Sequence, residues 1–133
     1  MTAGYLDASA LVKLATREAE TDALRAHCSG YDTRLTSRLS TVEVTRALFR
    51  RGLQSAALAD AVGEAFAGLA ILEVDGTVAD AAGRVSPPLL RSLDAIHLAS
   101  ALSLGDELEA FLTYDLRLAD AARDAGLTVI APA

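Results

Sequence analysis

Four short runs of the chain, AGYL (3–6), AILEV (70–74), AFLT (110–113) and TVIA (128–131), are apolar almost from end to end. Runs of four or five residues are the length of strands. A strand that is apolar on both faces needs cover on both sides, which is the condition of a parallel sheet between helices. TRLT (33–36), with β-branched ends, supplies a fifth strand. Helical stretches separate the strands: SALVKLAT (9–16), EAETDALRAHC (18–28), a helix from Ser40 stopped by Gly52, SAALADAVGEAFAGL (55–69), TVADAAGRV (77–85), a helix from Leu93 to about Leu104, and LRLADAARDAG (116–126). This alternation predicts an α/β sandwich. SPP (86–88) is the strongest break in the chain, and it is too short for a domain boundary.

The 133 residues suit one domain, and at 52% hydrophobic they can build a full core without staples. Cys28 is the only cysteine, so no internal disulfide is possible and a reducing compartment is natural. MTAGYLDAS has neither the basic nor the long apolar region of a signal peptide, and no apolar run reaches a membrane span of about 18 residues. The expectation is a cytoplasmic protein with no membrane association. A net charge of −6 argues against nucleic-acid binding unless acids are neutralised by a metal. The positive charge is nearly all arginine, the better phosphate ligand, with Lys13 the only lysine.

Chemistry enters with LRSLDAIHLASAL (90–102). Ala95, Ile96, Leu98, Ala99, Ala101 and Leu102 cover most faces of this helix, so it belongs inside the protein. Asp94 at its start either stabilises the helix terminus or belongs to a site. Three more acids hold comparable positions: Asp7 after the first strand, Glu43 early in the helix after the second, and Asp115 after the fourth. Ligands of open parallel sheets bind beyond the carboxyl ends of the strands, where these positions fall. Each acid also has a purely local reading. Ser40–Glu43 has the form of a capping box, Ser92 is a candidate cap for the helix holding Asp94, and Asp7 and Asp115 are candidate N-caps. Two unit charges ~4 Å apart repel by ~4 kcal/mol at an effective dielectric of 20, so converging acids need a cation or a proton. Oxygen-only donors favour Mg²⁺, with Mn²⁺ as substitute, over Zn²⁺.

YLDASALVKL (5–14), SRLSTVEVTRAL (37–48), LRSLDAIHLASAL (90–102) and FLTYDLRLADAARDAGL (111–127) resemble, in order, the motifs of PIN-domain nucleases, above all the VapC-type toxins of bacterial toxin–antitoxin pairs. The resemblance runs from residue 5 to 131 and treats residues 1–133 as a single PIN domain. It implies a PIN-like three-layer sandwich with a five-stranded parallel sheet, and a Mg²⁺-dependent endoribonuclease acting on RNA. It also implies a cognate VapB-type antitoxin; a homodimer is the expected assembly. Carried over by position, Asp7, Glu43 and Asp94 match the central acids and Asp115 the fourth. Leu116, Arg117 and Leu118 follow Asp115 where some relatives have a further acid, which leaves a second metal open.

On this basis Asp7 and Asp94 are expected to ligate the metal directly, with Glu43 and Asp115 holding metal-bound waters or orienting the nucleophile. Ser9 and Thr113 either position a water or phosphate oxygen or serve as local caps. His97, one turn after Asp94, is expected to be hydrogen-bonded beneath the site rather than a ligand. Arg34, Arg38, Arg46, Arg50 and Arg51 are candidates for an RNA path or simply solvated charges. Phe49, Leu53, Leu58, Val62, Phe66 and Leu69 are expected mostly in the core, with some available for an antitoxin or dimer groove. Two other classes compete. A receiver-like signalling domain would use Asp75 as phosphoacceptor but lacks a lysine near the fifth strand; a PIN-fold binding module would keep the fold without catalysis.

Overall fold

The apolar run that opens the chain becomes the central strand of the sheet. In a computed structural model describing residues 2–133, β1 (Ala3–Leu6) lies between β2 (Thr33–Ser37) and β4 (Leu108–Leu112). β3 (Ala70–Leu72) and β5 (Val129–Ile130) form the edges, giving the order β3-β2-β1-β4-β5 with every pairing parallel. The helices are α1 (Ala8–Ala15), α2 (Thr21–Cys28), α3 (Arg38–Arg50), α4 (Ser55–Phe66), α5 (Gly76–Ala82), α6 (Ser92–Leu102) and α7 (Leu116–Asp124). A 3₁₀ turn at Gly105–Glu107, not expected from the sequence, leads into β4.

Because successive strand residues point to opposite faces, Tyr5 and Leu6, like Phe111 and Leu112, enter different cores. Leu6 and Leu112 pack with Leu11, Leu24, Val44 and Leu48 on the side of α1–α4. Tyr5 and Phe111 pack with Leu98, Leu118 and Ala121 on the side of α6 and α7. Burial of each such large side chain contributes about 1.5–3 kcal/mol. The three-layer α/β sandwich expected from the sequence is the fold. Gly4 is required where it stands, since an added Cβ would come 2.8 Å from the Tyr31 ring lying over β1.

Several local expectations are corrected. The capping box at Ser40–Glu43 does not form: α3 starts earlier, capped by Ser37 Oγ accepting from Leu39 N at 3.1 Å. Ser40 is fully buried inside the helix, 2.6 Å from Thr36 Oγ1. Ser92 is the first residue of α6 rather than its cap; the cap position is Arg91, with no side-chain hydrogen bond. The stretch 18–28 becomes helical only at Thr21, whose buried hydroxyl accepts from Glu18 N and donates to the Lys13 carbonyl, holding residues 18–20 in a turn. Phe49 is 48% exposed rather than core, whereas Leu53, Leu58, Val62, Phe66 and Leu69 pack against the first core.

The strand order also removes the receiver-like alternative. That fold has the order 2-1-3-4-5. Here Asp75 follows an edge strand and serves as N-cap of α5, accepting from Val78 N at 2.9 Å.

Candidate active site

Asp7 occupies the carboxyl end of the central strand, where its backbone N–H donates to the Leu112 carbonyl at 3.2 Å. Its side chain caps α1, accepting from Ala10 N on Oδ1 at 3.0 Å. Ser9 Oγ donates to the same oxygen at 2.7 Å, and Thr113 Oγ1 donates to Oδ2 at 2.5 Å. Both hydroxyls also accept from the β4–α7 connection, Ser9 from Tyr114 N at 2.9 Å and Thr113 from Asp115 N at 3.0 Å. The ends of β1 and β4 are thus tied through one carboxylate. Ser9 and Thr113 orient Asp7, and each hydroxyl proton is already engaged with it. Burial pushes the Asp7 carboxyl above the usual carboxylate range despite these hydrogen bonds.

Asp115 is the N-cap of α7, with Oδ1 accepting from Arg117 N at 2.9 Å and Leu118 N at 3.1 Å. Cap and site are compatible, because Oδ2 is left without a hydrogen bond among the described residues. Asp94 stands in the first turn of α6, half-buried, and neither of its oxygens accepts a hydrogen bond among the described residues. Its carboxyl is raised first by burial, then by the charge of Asp115; His97 opposes the rise, and Asp7 and Glu43 add smaller raising contributions. The four acids therefore share one electrostatic neighbourhood at the carboxyl edge of the sheet.

Glu43 reaches that edge from the second turn of α3, where His97 Nε2 meets its Oε1 at 2.6 Å. His97 is fully buried, and its Nδ1 is 2.7 Å from the Tyr5 hydroxyl. His97 lies beneath the acids, as expected. Sequence reasoning missed Tyr5, which reads only as a strand residue. Its signal is its place two residues before Asp7, on the same side of β1 by the strand repeat.

Among the described residues, no lysine or arginine forms an ion pair with Asp7, Asp94 or Asp115. An uncompensated group of carboxylates is costly. The donors present fit a hard divalent ion: Asp94 offers both oxygens, Asp115 and Glu43 one each, and Asp7 a remaining lone pair on Oδ2. Among the described residues no three acid or imidazole groups already close on one point. Mg²⁺ keeps several waters and takes one or two carboxylates directly, so it does not require three protein donors at one point.

Asp94 and Asp115 line an open concavity of about 350 Å³ together with Arg91, Leu116 and Arg117. The arginine path expected from the sequence is dispersed. Arg38 pairs with Glu73 at 2.7 Å, and Arg51 with Glu18 at 3.4 Å. Arg34, near the amino end of β2, lines a separate cavity with Cys28 and Gly68. Arg46 and Arg50 are surface residues of α3, Arg46 lying 6.0 Å from the Phe49 ring. The cations at the acids are Arg91 and Arg117, which sequence reasoning did not single out.

The family model described as PIN domain matches residues 4–124. The chain belongs to the PIN-domain family. Within it the chain is of the VapC ribonuclease type: it is 50% identical over 132 residues to Ribonuclease VapC46 of Mycobacterium tuberculosis (strain ATCC 25618 / H37Rv), covering 99% of each chain. Two solved structures share the PIN fold at low identity. VapC20 of M. tuberculosis, described as a sarcin-ricin loop cleaving toxin, matches with TM-score 0.73 and 18% identity over 97% of this chain and 99% of its own. VapBC2 from Rickettsia felis, bound to a DNA fragment from its promoter, matches with TM-score 0.76 and 11% identity over 98% and 99%. No helix among the described residues of this PIN domain is long and apolar enough to cross a membrane.

Proposed function

We propose that this PIN domain is a Mg²⁺-dependent endoribonuclease toxin, with Mn²⁺ able to replace Mg²⁺, acting on cytoplasmic RNA and neutralised by a VapB-type antitoxin. The observation that carries the reading is Asp94. It is half-buried, neither of its oxygens accepts a hydrogen bond among the described residues, and the charges of Asp115, Asp7 and Glu43 bear on it with no lysine or arginine of those residues ion-paired to it. Membership of the VapC ribonuclease type supports the substrate class.

In this reading Asp7 and Asp94 hold the ion directly, while Glu43 and Asp115 hold its waters or orient the attacking one. A bound Mg²⁺ supplies Lewis acidity, lowering the pKa of the attacking water and offsetting charge on the scissile phosphate. Ser9 and Thr113 keep the Asp7 carboxylate fixed. Arg91 and Arg117, on the rim of the concavity, meet RNA phosphates that the acids alone would repel. Val42 and Phe49, seven residues apart on α3, are 59% and 48% exposed on one side of that helix. A second copy of the chain in a homodimer would cover it.

The test is cleavage of a defined RNA by purified protein. Activity is expected with Mg²⁺ or Mn²⁺, none in EDTA, and at least a ~100-fold loss in Asp94→Asn. Cleavage that survives EDTA, or a wild-type rate in Asp94→Asn, would overturn the reading. Arg91→Gln and Arg117→Gln are expected to raise KM several-fold with kcat little changed. A folded protein that binds Mn²⁺ and RNA but never cuts would favour the non-catalytic binding module.

A further inference from the structure

Beneath the acids runs a buried line of polar groups that a metal-ligand description does not use: Tyr5 hydroxyl, His97 imidazole, Glu43 carboxylate. The phenol oxygen is 2.7 Å from His97 Nδ1, and His97 Nε2 is 2.6 Å from Glu43 Oε1. Tyr5 and His97 are 0% and 1% exposed, so bulk water does not reach them. An ionised carboxylate only accepts, so the hydrogen between the ring and Glu43 belongs to Nε2. The phenol has one hydrogen and meets His97 Nδ1 at 2.7 Å, with the Ser100 hydroxyl and the Ser37 backbone also beside its oxygen. A phenol carries its hydrogen at neutral pH. Both bonds are satisfied together when Nδ1 accepts and Nε2 donates.

We propose that Tyr5 is a positioning residue: its hydroxyl fixes the Nε2–H tautomer of His97, which clamps Glu43 Oε1 and leaves Oε2 as the oxygen turned toward the metal site. Three elements are coupled in this way. Tyr5 comes from β1, two residues before Asp7; His97 comes from α6, three residues after Asp94; Glu43 comes from α3. Without the phenol, Nδ1–H and Nε2–H forms compete, and in the Nδ1–H form a bare ring nitrogen faces the carboxylate and repels it. Ser100, one turn after His97 on α6, places a buried hydroxyl beside the phenol, able to donate to its oxygen while the phenol hydrogen stays with Nδ1. The inference rests on the reading of Glu43 as a site carboxylate.

The first test is the tautomer itself. Long-range ¹H–¹⁵N correlation spectra of the metal-free wild-type protein should show His97 protonated on Nε2 alone. An Nδ1–H ring overturns the proposal, whatever the variants do. The second test is Mn²⁺ binding, read by electron paramagnetic resonance without RNA. Tyr5→Phe should weaken binding about tenfold, the lower end of what outer groups of metal sites contribute. His97→Gln, whose amide can still donate to Glu43, should bind Mn²⁺ better than His97→Leu. In the His97→Gln background the change Tyr5→Phe should have no further effect, because a carboxamide has no tautomer to fix. A purely packing role for Tyr5 predicts the same loss in both backgrounds, and that result overturns the proposal. Glu43→Gln separates the two levels. If it cleaves RNA at the wild-type rate, the site reading falls and takes the predicted Mn²⁺ effects with it, while a wrong tautomer would overturn this inference alone.

Discussion

Asp7 shows how one residue can be both a structural cap and a chemical group. It holds the start of α1 and joins β1 to β4, yet burial makes its negative charge costly. Asp94 is raised in the same direction, by burial and then by Asp115. Both acids hold protons more tightly folded than unfolded. In metal-free protein their contribution to stability is therefore greatest below the ordinary carboxylate pKa of about 4, and it declines as pH rises through their raised folded values. In EDTA, Asp94→Asn should melt at or above the wild-type temperature at neutral pH, and its advantage should shrink toward about pH 4. An advantage that grew as pH fell would contradict the direction of the shift. Thr113 gives a complementary prediction. Thr113→Val removes the donor to Asp7 Oδ2 and the acceptor for Asp115 N. It should cost about 1–3 kcal/mol in denaturant unfolding and cut RNA cleavage by about 10–100-fold. Thr113→Ser should restore most of both; a Ser variant as impaired as Val would place the defect elsewhere.

Among the elements, the strands were legible because β1 and β4 are apolar on both faces, and the helices because glycine and the cap residues punctuate them. Helix starts were less legible. Ser37 and Ser40 both look like caps, and the choice depends on where β2 ends. The parallel pairing of Ser37 with Leu72 carries the strand to Ser37, so the helix begins directly after it. Ser40 then turns inward to Thr36, and Glu43, freed from a capping box, turns to His97. Ser37→Ala should therefore destabilise the fold by about 1 kcal/mol, while Ser92→Ala, at an exposed position without a capping bond, should stay within ~0.5 kcal/mol of wild type. Equal effects at the two serines in urea melts would restore the sequence-level assignment. Gly4→Ala, which drives a Cβ into the Tyr31 ring over the central strand, should cost about 1–3 kcal/mol.

For the whole molecule, the parallel order β3-β2-β1-β4-β5 brings residues 7, 43, 94 and 115 to one edge although the chain separates them widely. Their positions were legible as strand ends and helix starts, and the resemblance to PIN-domain nucleases singled out the same four. The Tyr5–His97–Glu43 line was not legible, since Tyr5 reads as core and only strand pairing puts it against α6. Nor was the choice of arginines, because ion pairing to Glu73 and Glu18, which no local pattern encodes, ties down Arg38 and Arg51. A site that gathers acids without ion-pairing Asp7, Asp94 or Asp115 to lysine or arginine among the described residues costs folding stability, and the proposed divalent ion would offset that cost. Metal should give part of that stability back: at 100 times its Kd, Mn²⁺ should stabilise the wild-type protein by about 2.7 kcal/mol, and Asp94→Asn should gain much less at the same concentration. The most direct measurement is anomalous diffraction from crystals soaked in Mn²⁺. The account predicts a peak within coordination distance of Asp94 and Asp7 on the side facing Asp115. Fully occupied Mn²⁺ peaks elsewhere on the molecule, with none between these carboxylates, would contradict it.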